Sequence, residues 1–171
     1  MNTSIVLTII ADDHPGIIQT VSTVLTNHGG NWTQSSMSSL AGQFAGILLV
    51  SLPKENADAC LAELQGLESA GLRVIAHAGA EPVDTQKTNT YTLDLIGNDR
   101  PGIVNEITSL LAKHKISVHG FETTVEAASM GGGELFKATA QLVIPETAEI
   151  DLLETELEDL ANDLMVTIGF T

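Results

Sequence analysis

The segment ADDHPGIIQTVSTVLTNH, residues 11–28, returns as GNDRPGIVNEITSLLAKH at residues 97–114, so the chain contains one unit twice. In both copies an Asp-x-Pro-Gly-Ile motif precedes apolar residues at positions i, i+1, i+4, i+7 and i+8. This spacing is typical of an amphipathic helix with one buried face. Proline suits the first helical position, because its missing N–H would be unpaired there. The sequence therefore predicts two equivalent helices, with apolar stripes at Ile17, Ile18, Val21, Val24 and Leu25, and at Ile103, Val104, Ile107, Leu110 and Leu111.

The repeat extends in both directions from this helix. Alternating apolar residues from Ile5 and from Tyr91 predict a strand before each motif. Downstream, FAGILLVSLP ending at Pro53 matches FKATAQLVIP ending at Pro145, and the second copy's six extra residues lie in EAASMGGGE. Each unit then has the order β-α-β-β-α-β, with its later strands predicted at 31–39, 44–52 and 72–77, and at 117–125, 135–144 and 164–170.

This order defines the predicted fold class and domains. The class is α+β, with two ferredoxin-like βαββαβ units whose sheets are antiparallel and whose helices cover one sheet face. Pro, Ala, Gly and Thr cluster between the repeats, which is typical of a linker. The predicted domains are residues 1–79 and 90–171, joined by a linker at 80–89.

The charge of the chain excludes several classes of protein. It has 7 Lys and Arg against 22 Asp and Glu, a net charge of −15. Nucleic acids and anionic membranes are bound by basic surfaces, so neither is an expected partner. No segment resembles a membrane span or a signal peptide, and we expect a cytoplasmic protein. Acidic residues cluster at the second helix of the second unit, where they form either a solvated face or a docking surface for a basic partner. They are Glu146, Glu149, Asp151, Glu154, Glu156, Glu158, Asp159 and Asp163.

The Asp-x-Pro-Gly-Ile motif has chemistry that suits a free amino acid. The unpaired N–H groups and the dipole at a helix start favour a carboxylate. Asp13 and Asp99 lie just outside their helices, where each can accept hydrogen bonds from an ammonium group. The alternative is that the motif serves only to start a helix.

The motif, the spacing and the element order together resemble the ACT domain family, whose small ferredoxin-like modules bind amino acids and regulate. Two such ACT-type units in tandem resemble the glycine cleavage system transcriptional repressor family. The resemblance implies that units pair side by side and bind ligands where they meet. It implies the loop residues Ala11, Asp13, His14, Pro15, Gly16 and Ile17, and in the second copy Gly97, Asp99, Arg100, Pro101, Gly102 and Ile103. It also implies that Asn31 and Ser117, which open the second strands, contribute to the site of the neighbouring unit.

The same resemblance implies a function and partners. It points to glycine as the effector, to glycine cleavage genes as the target and to a LysR-type activator as the protein partner. The sequence contains no recognisable helix-turn-helix or basic patch, so any control of transcription is expected to be indirect. A free-standing regulatory subunit of an amino-acid enzyme is the alternative. Exposed sheet edges and an uncovered sheet face allow a homodimer.

Residues suited to catalysis or metal binding form no pattern in the sequence. No nucleophile accompanies Asp12, Asp13 and His14, so we expect no enzyme activity. The five histidines lack ligand spacing, so no metal or cofactor is expected. RNA-recognition modules share the element order but need aromatic strands and a basic surface. The other expectations are structural: helix ends at His28 and His114, a buried thiol at Cys60, and a hairpin tip at Gly131–Gly133.

Overall fold

The first unit of the computed structural model has the predicted element order. Its sheet is antiparallel throughout, with the strand order β2-β3-β1-β4. The second helix ends at Gly66, and a short 3₁₀ turn, Leu67–Ala70, follows it. The elements are β1 (Asn2–Asp12), α1 (Ile17–Asn27), β2 (Asn31–Leu40), β3 (Gln43–Pro53), α2 (Ala57–Gly66) and β4 (Leu72–Ala78).

The second unit repeats this architecture. Its sheet has the equivalent order β6-β7-β5-β8, again antiparallel, which confirms the predicted fold class. The elements are β5 (Thr88–Asn98), α3 (Ile103–Lys113), β6 (Ser117–Ala127), β7 (Glu134–Pro145), α4 (Ile150–Leu164) and β8 (Val166–Phe170).

The chain divides into two compact units, Met1–Val83 and Asp84–Thr171. The structure describes residues 1–78, 88–128, 133–164 and 166–171. Thr88 and Asn89, which we placed in the linker 80–89, belong to β5, and the rest of that segment lies outside the described residues. Of the predicted hairpin tip, only Gly133 lies within them. No helix of the described part combines the length and apolar character needed to cross a bilayer.

Each unit buries one apolar core between its sheet and its two helices. In the first unit, every second residue of β1 is buried, including Leu7 and Ile9, against α1 residues such as Val21 and Leu25. The second unit has the equivalent cluster around Leu95, Leu142 and Leu153. Cys60 is fully buried in α2, as predicted, and burial raises the pKa of its thiol. Burial and this higher pKa make the thiol a poor nucleophile.

An equivalent histidine–glutamate contact joins the two helices of each unit. His28 and His114 follow the last residues of α1 and α3, which confirms that they end these helices. The Nε2 atom of His28 lies 2.8 Å from Oε2 of Glu63, and Nε2 of His114 lies 3.0 Å from Oε2 of Glu156. Glu156 also accepts a hydrogen bond from Lys113. It therefore packs toward α3, whereas its acidic neighbours on α4 are exposed.

This geometry predicts a pH-dependent stability. Hydrogen bonds from Lys113 and His114 hold the pKa of Glu156 below its ordinary value. The stabilisation from ionised Glu156 is therefore complete above the unfolded-state pKa of about 4.3 and is lost as pH falls through the lower folded-state pKa. We expect Glu156→Gln to reduce the free energy of unfolding at pH 7 and to approach wild-type stability near pH 3.

Urea unfolding followed by circular dichroism between pH 3 and pH 7 measures this difference. The matched control is Glu154→Gln, because Glu154 is an exposed carboxylate on the same helix. A deficit in Glu156→Gln that stays the same at every pH would contradict the role assigned to the ionised carboxylate.

Candidate functional site

The loop between β1 and α1 is held by hydrogen bonds to the β2–β3 hairpin. The backbone N–H of Asp13 donates to the carbonyl oxygen of Gly42 at 2.8 Å. The hydroxyl of Ser39 donates to Oδ2 of Asp13 at 2.6 Å. These contacts fix the Asp13 carboxylate beside the start of α1. Its second oxygen stays available to a ligand, because a carboxylate has about four acceptor sites.

The helices begin two residues later than the sequence indicated. We predicted Pro15 and Pro101 at the first helical position, and this is wrong, because α1 begins at Ile17 and α3 at Ile103. Gly16 and Gly102 precede them with φ of 100° and 99°, a left-handed backbone that ends the turn containing each proline. Their carbonyl oxygens accept the first helical hydrogen bonds, so the glycines are the N-caps.

The left-handed backbone of Gly16 predicts a measurable cost for any side chain. A Cβ at Gly16 meets no atom within 4 Å, so Gly16→Ala tests conformation alone. We expect it to lower the free energy of unfolding by about 1–2 kcal/mol. The single tryptophan, Trp32, packs against the core of this unit, so its fluorescence during urea unfolding reports the effect.

Gly66→Ala in the same unit provides the matched control. Gly66 also has open space around it, but it lies in α2 with ordinary helical backbone angles. Alanine there is expected to stabilise the unit by about 0.5–1 kcal/mol. Equal effects at both glycines would exclude backbone strain at Gly16.

A depression lined by both polar and apolar residues lies beside each helix start. We predicted Ile18 and Val104 in the buried stripes, and this is wrong, because their side chains are 50% and 39% exposed. In the first turn, only Ile17 and Ile103 reach the core. Ile18 instead lines a depression of about 400 Å³ with the loop and Phe44. The equivalent depression, of about 480 Å³, has Val104 and Phe136.

The two loops differ in their charged groups. In the second unit, Arg100 makes a two-fold hydrogen bond to Glu106, with nitrogen–oxygen distances of 3.0 and 2.9 Å. In the first unit, the equivalent residues are His14 and Thr20, and the hydroxyl of Thr20 donates to the carbonyl oxygen of Gly16. The guanidinium of Arg100 is therefore already neutralised by a carboxylate of its own chain.

A second difference concerns the aspartates. Ser39 and Val125 occupy equivalent positions, because they pair with Phe44 and Phe136 in their sheets. Val125 has no hydroxyl, so it cannot donate to Asp99 the hydrogen bond that Ser39 donates to Asp13. The backbone N–H of Asp99 still donates to Glu134, as that of Asp13 does to Gly42. The positions of both loops are thus equivalent, but their side-chain chemistry is not.

Most of the predicted site residues come together in each unit. Ala11 and Gly97 are buried under the loops and pair with Phe44 and Phe136. Sequence reasoning missed these two phenylalanines as lining residues. The signal was available in the match between FAGILLVSLP and FKATAQLVIP, both of which begin with phenylalanine. The residues that meet at the loops are Asp13, His14, Gly16 and Ile17, and Asp99, Arg100, Gly102 and Ile103, with Pro15 and Pro101 inside the turns.

Asn31 and Ser117 do not reach the loop of their own unit. Asn31 pairs with Ser51, whereas the loop adjoins the other end of β2, where Leu40 pairs with Gln43. About nine residues of extended chain separate the two ends, which is roughly 30 Å. Ser117 has the same position in β6, because it pairs with Val143.

Each loop can bind a molecule that carries both a carboxylate and an ammonium group. The first backbone N–H groups of a helix have no intrahelical partner, and no side chain caps α1 or α3. They attract a carboxylate, while the neighbouring aspartate attracts an ammonium group. Among the described residues, no three His, Cys, Asp or Glu side chains converge as a metal site requires.

Solved structures that match this chain over its whole length include the following two. An unknown protein from Galdieria sulphuraria has a TM-score of 0.88 and 26% identity, over 99% of this chain and 98% of that one. A protein provisionally named a glycine cleavage system transcriptional repressor has a TM-score of 0.70 and 20% identity, over 100% of this chain and 97% of its own. A search of curated proteins found no match.

Comparison with protein families identifies both halves of the chain. The sequence profile of the ACT domain matches residues 3–76 and again residues 92–171. These two ranges cover all but a few end residues of the two β-α-β-β-α-β units, and they contain both Asp-x-Pro-Gly-Ile loops. The chain therefore belongs to the ACT domain family and carries two copies of the domain in tandem.

Proposed function

We propose that this protein is a regulatory amino-acid sensor without enzyme activity, and that glycine is its effector. The observation that carries the proposal is the aspartate fixed beside an uncapped helix start. Together they offer an acceptor for ammonium and donors for carboxylate, the two charged groups of a free amino acid. Membership of the ACT domain family supports a regulatory role.

The geometry of the first loop favours a small ligand. In the proposed pose, the ammonium group binds the Asp13 carboxylate, and the ligand carboxylate faces the N–H groups at the start of α1. The residue two positions before Asp13 is Ala11, which offers no polar group to a ligand side chain, and it is buried. Ile18 and Phe44 make the nearby wall apolar. Glycine needs only the backbone and one carboxylate to bind.

The first loop is the proposed stronger site. In the second loop, the Glu106 carboxylate lies in the first turn of α3 and would repel the carboxylate of a ligand there. The guanidinium of Arg100 in this loop is already bound to Glu106. In the first loop Thr20 takes the position of Glu106, so the first turn of α1 has no carboxylate of its own to repel the ligand carboxylate.

We further propose that the protein represses glycine cleavage genes by binding a LysR-type activator. The net charge of −15 opposes direct contact with DNA, so another protein must carry the effect. The name of the neighbour with a TM-score of 0.70 supports this target. Bound glycine would change the affinity for the activator only as far as it binds the two states of the sensor differently.

Two measurements test this function. Calorimetric titration with glycine, serine and alanine tests the sensor, and absence of heat with all three up to millimolar concentrations would remove the sensing role. Co-purification with and without glycine then tests the partner. Recovery of a LysR-type activator supports the proposed target, whereas recovery of an amino-acid enzyme would assign the protein as its regulatory subunit.

A further inference from the structure

The sheet of the first unit has an apolar surface on the side opposite its helices. We call this side the outer face. Residues on it alternate along β1, β3 and β4 with buried residues such as Leu7, Leu48 and Val74, which face the helices. The outer-face apolar residues are Val6, Ile10, Ala45, Ile47, Leu49 and Ile75.

These residues form one continuous patch. Thr8 pairs with Ile47 on one side and with Ile75 on the other, so the three side chains lie in one row across the sheet. Val6 and Leu49 form the next row. Ile10, Ile47 and Ile75 are 43%, 54% and 43% exposed. Monomeric proteins rarely expose contiguous apolar surface of this kind, and such patches mark interaction sites.

The second unit shows that the fold does not require this patch. Pairing places Asp94, Thr139 and Gly169 in the row equivalent to Thr8, Ile47 and Ile75. In the next row, Thr92 and Gln141 replace Val6 and Leu49. The polar groups bond to one another, as Thr139 does to Asp94 at 2.7 Å. The outer face is therefore a solvated surface in one copy of the domain and an apolar surface in the other.

The charge distribution indicates which kind of molecule can bind the outer face. The chain has a net charge of −15, but Asp12 is the only carboxylate on the described outer face of the first unit. It lies at the end of β1 and accepts a hydrogen bond from Gln43 at 2.6 Å. Arg73 and His77 lie along the β4 edge, and uncharged Ser and Gln side chains border β2. An apolar centre with a nearly neutral polar rim is typical of protein interfaces.

We propose that this outer face binds the outer face of a second copy of the chain, forming a twofold dimer. Two strongly acidic molecules repel wherever carboxylates meet, and this face is where they are nearly absent. A four-stranded face about ten residues long measures roughly 19 by 33 Å, or about 600 Å². Two such faces bury about 1,200 Å², which is at the lower end of the roughly 1,200–2,000 Å² that specific, stable interfaces bury. The two sheets would pack about 10 Å apart.

Sedimentation equilibrium and light scattering of the full chain test the dimer. The wild type at about 50 µM in 0.15 M salt is expected to have twice the 18.0 kDa mass of the chain. Ile47→Glu places a charge at the centre of the face and is expected to give the monomer mass. Thr139→Glu is the matched control at the equivalent position of the second unit and should remain dimeric. A monomeric wild type, or dissociation by Thr139→Glu to the same extent, would overturn the proposal.

Two milder variants keep the test independent of folding. Ile47→Ser adds no charge and is expected to weaken the dimer at least about 10-fold, because each dimer loses two buried isoleucines. Thr8→Cys adds an accessible thiol to a chain whose own cysteine, Cys60, is buried. A bismaleimide of about 10 Å span should therefore crosslink two chains through this thiol. The matched variant Asp94→Cys, in the second unit, should not be crosslinked between chains. Equal crosslinking of both variants, or unchanged association of Ile47→Ser, would exclude this face as the interface.

Discussion

Asp13→Asn is expected to weaken glycine binding about 10- to 100-fold, because it removes the charge that the ligand ammonium requires. A hydrogen bond to an ionised group contributes about 1.5–3 kcal/mol, which corresponds to this range. Asparagine keeps the shape of aspartate, and its side-chain oxygen can still accept the hydrogen bond from Ser39. The loop should therefore remain folded. Calorimetric titration of the wild type and the variant with glycine measures the ratio of dissociation constants.

The matched variant Asp99→Asn separates the two loops. Because Glu106 lies at the second helix start, we expect this variant to change glycine affinity less than about threefold. Glu106→Thr then makes the second loop similar to the first and should increase the number of bound glycines. A larger loss of affinity from Asp99→Asn than from Asp13→Asn would assign the main site to the second unit.

Gly46→Ala is expected to destabilise the first unit by about 2–3 kcal/mol. A Cβ at this position would lie 2.6 Å from the carbonyl oxygen of Ser36 and 2.9 Å from Cα of Met37. These are backbone atoms of β2, so the strand itself must move away from β3. Overpacking of this kind costs typically 1–3 kcal/mol. Fluorescence of Trp32, which lies in β2, should report the loss during urea unfolding.

Two positions of the second unit provide the comparison. Ala138 already occupies the place of Gly46, where it pairs with Thr123 in the neighbouring strand. Gly120→Ala meets only Gln141 side-chain atoms at 3.6 Å, an ordinary contact, and should change stability by less than about 0.5 kcal/mol. A Gly46→Ala protein as stable as the wild type would show that β2 does not pack as closely as described.

The fold was predictable because two copies of each signal support one another. The buried alternation of β1 and the apolar stripe of α1 recur in β5 and α3, so a wrong assignment in one copy would conflict with the other. Turn residues such as Pro and Gly between the apolar segments indicate the order of the other strands and helices. The wrong placement of Ile18 and Val104 in the buried stripes has one physical cause. Hydrophobic spacing identifies which residues lie on one side of a helix, but not how much of that side is covered, and both residues are exposed.

The candidate site was predictable in its position but not in its chemistry. The motif placed Asp13 and Gly16 at a helix start, and both lie there. Pairing of Arg100 with Glu106 depends on the turn that Gly102 allows, because the left-handed backbone moves the helix start to Ile103, three residues beyond Arg100. The hydrogen bond between Ser39 and Asp13 does not follow from sequence spacing, and neither does the presence of Val125 at the position of Ser39 in the second unit. Both depend on the register of the β2–β3 and β6–β7 hairpins.

The most direct test of amino-acid binding at the β1–α1 loop is a titration of ¹⁵N-labelled protein with glycine, followed by two-dimensional NMR. The amide signals of Gly16, Ile17 and Ile18 should shift first, because their N–H groups lie at the proposed carboxylate site. The equivalent signals of Gly102 and Ile103 should shift only at higher glycine concentration. Unchanged loop signals at millimolar glycine, or shifts confined to other parts of the chain, would contradict the proposed site.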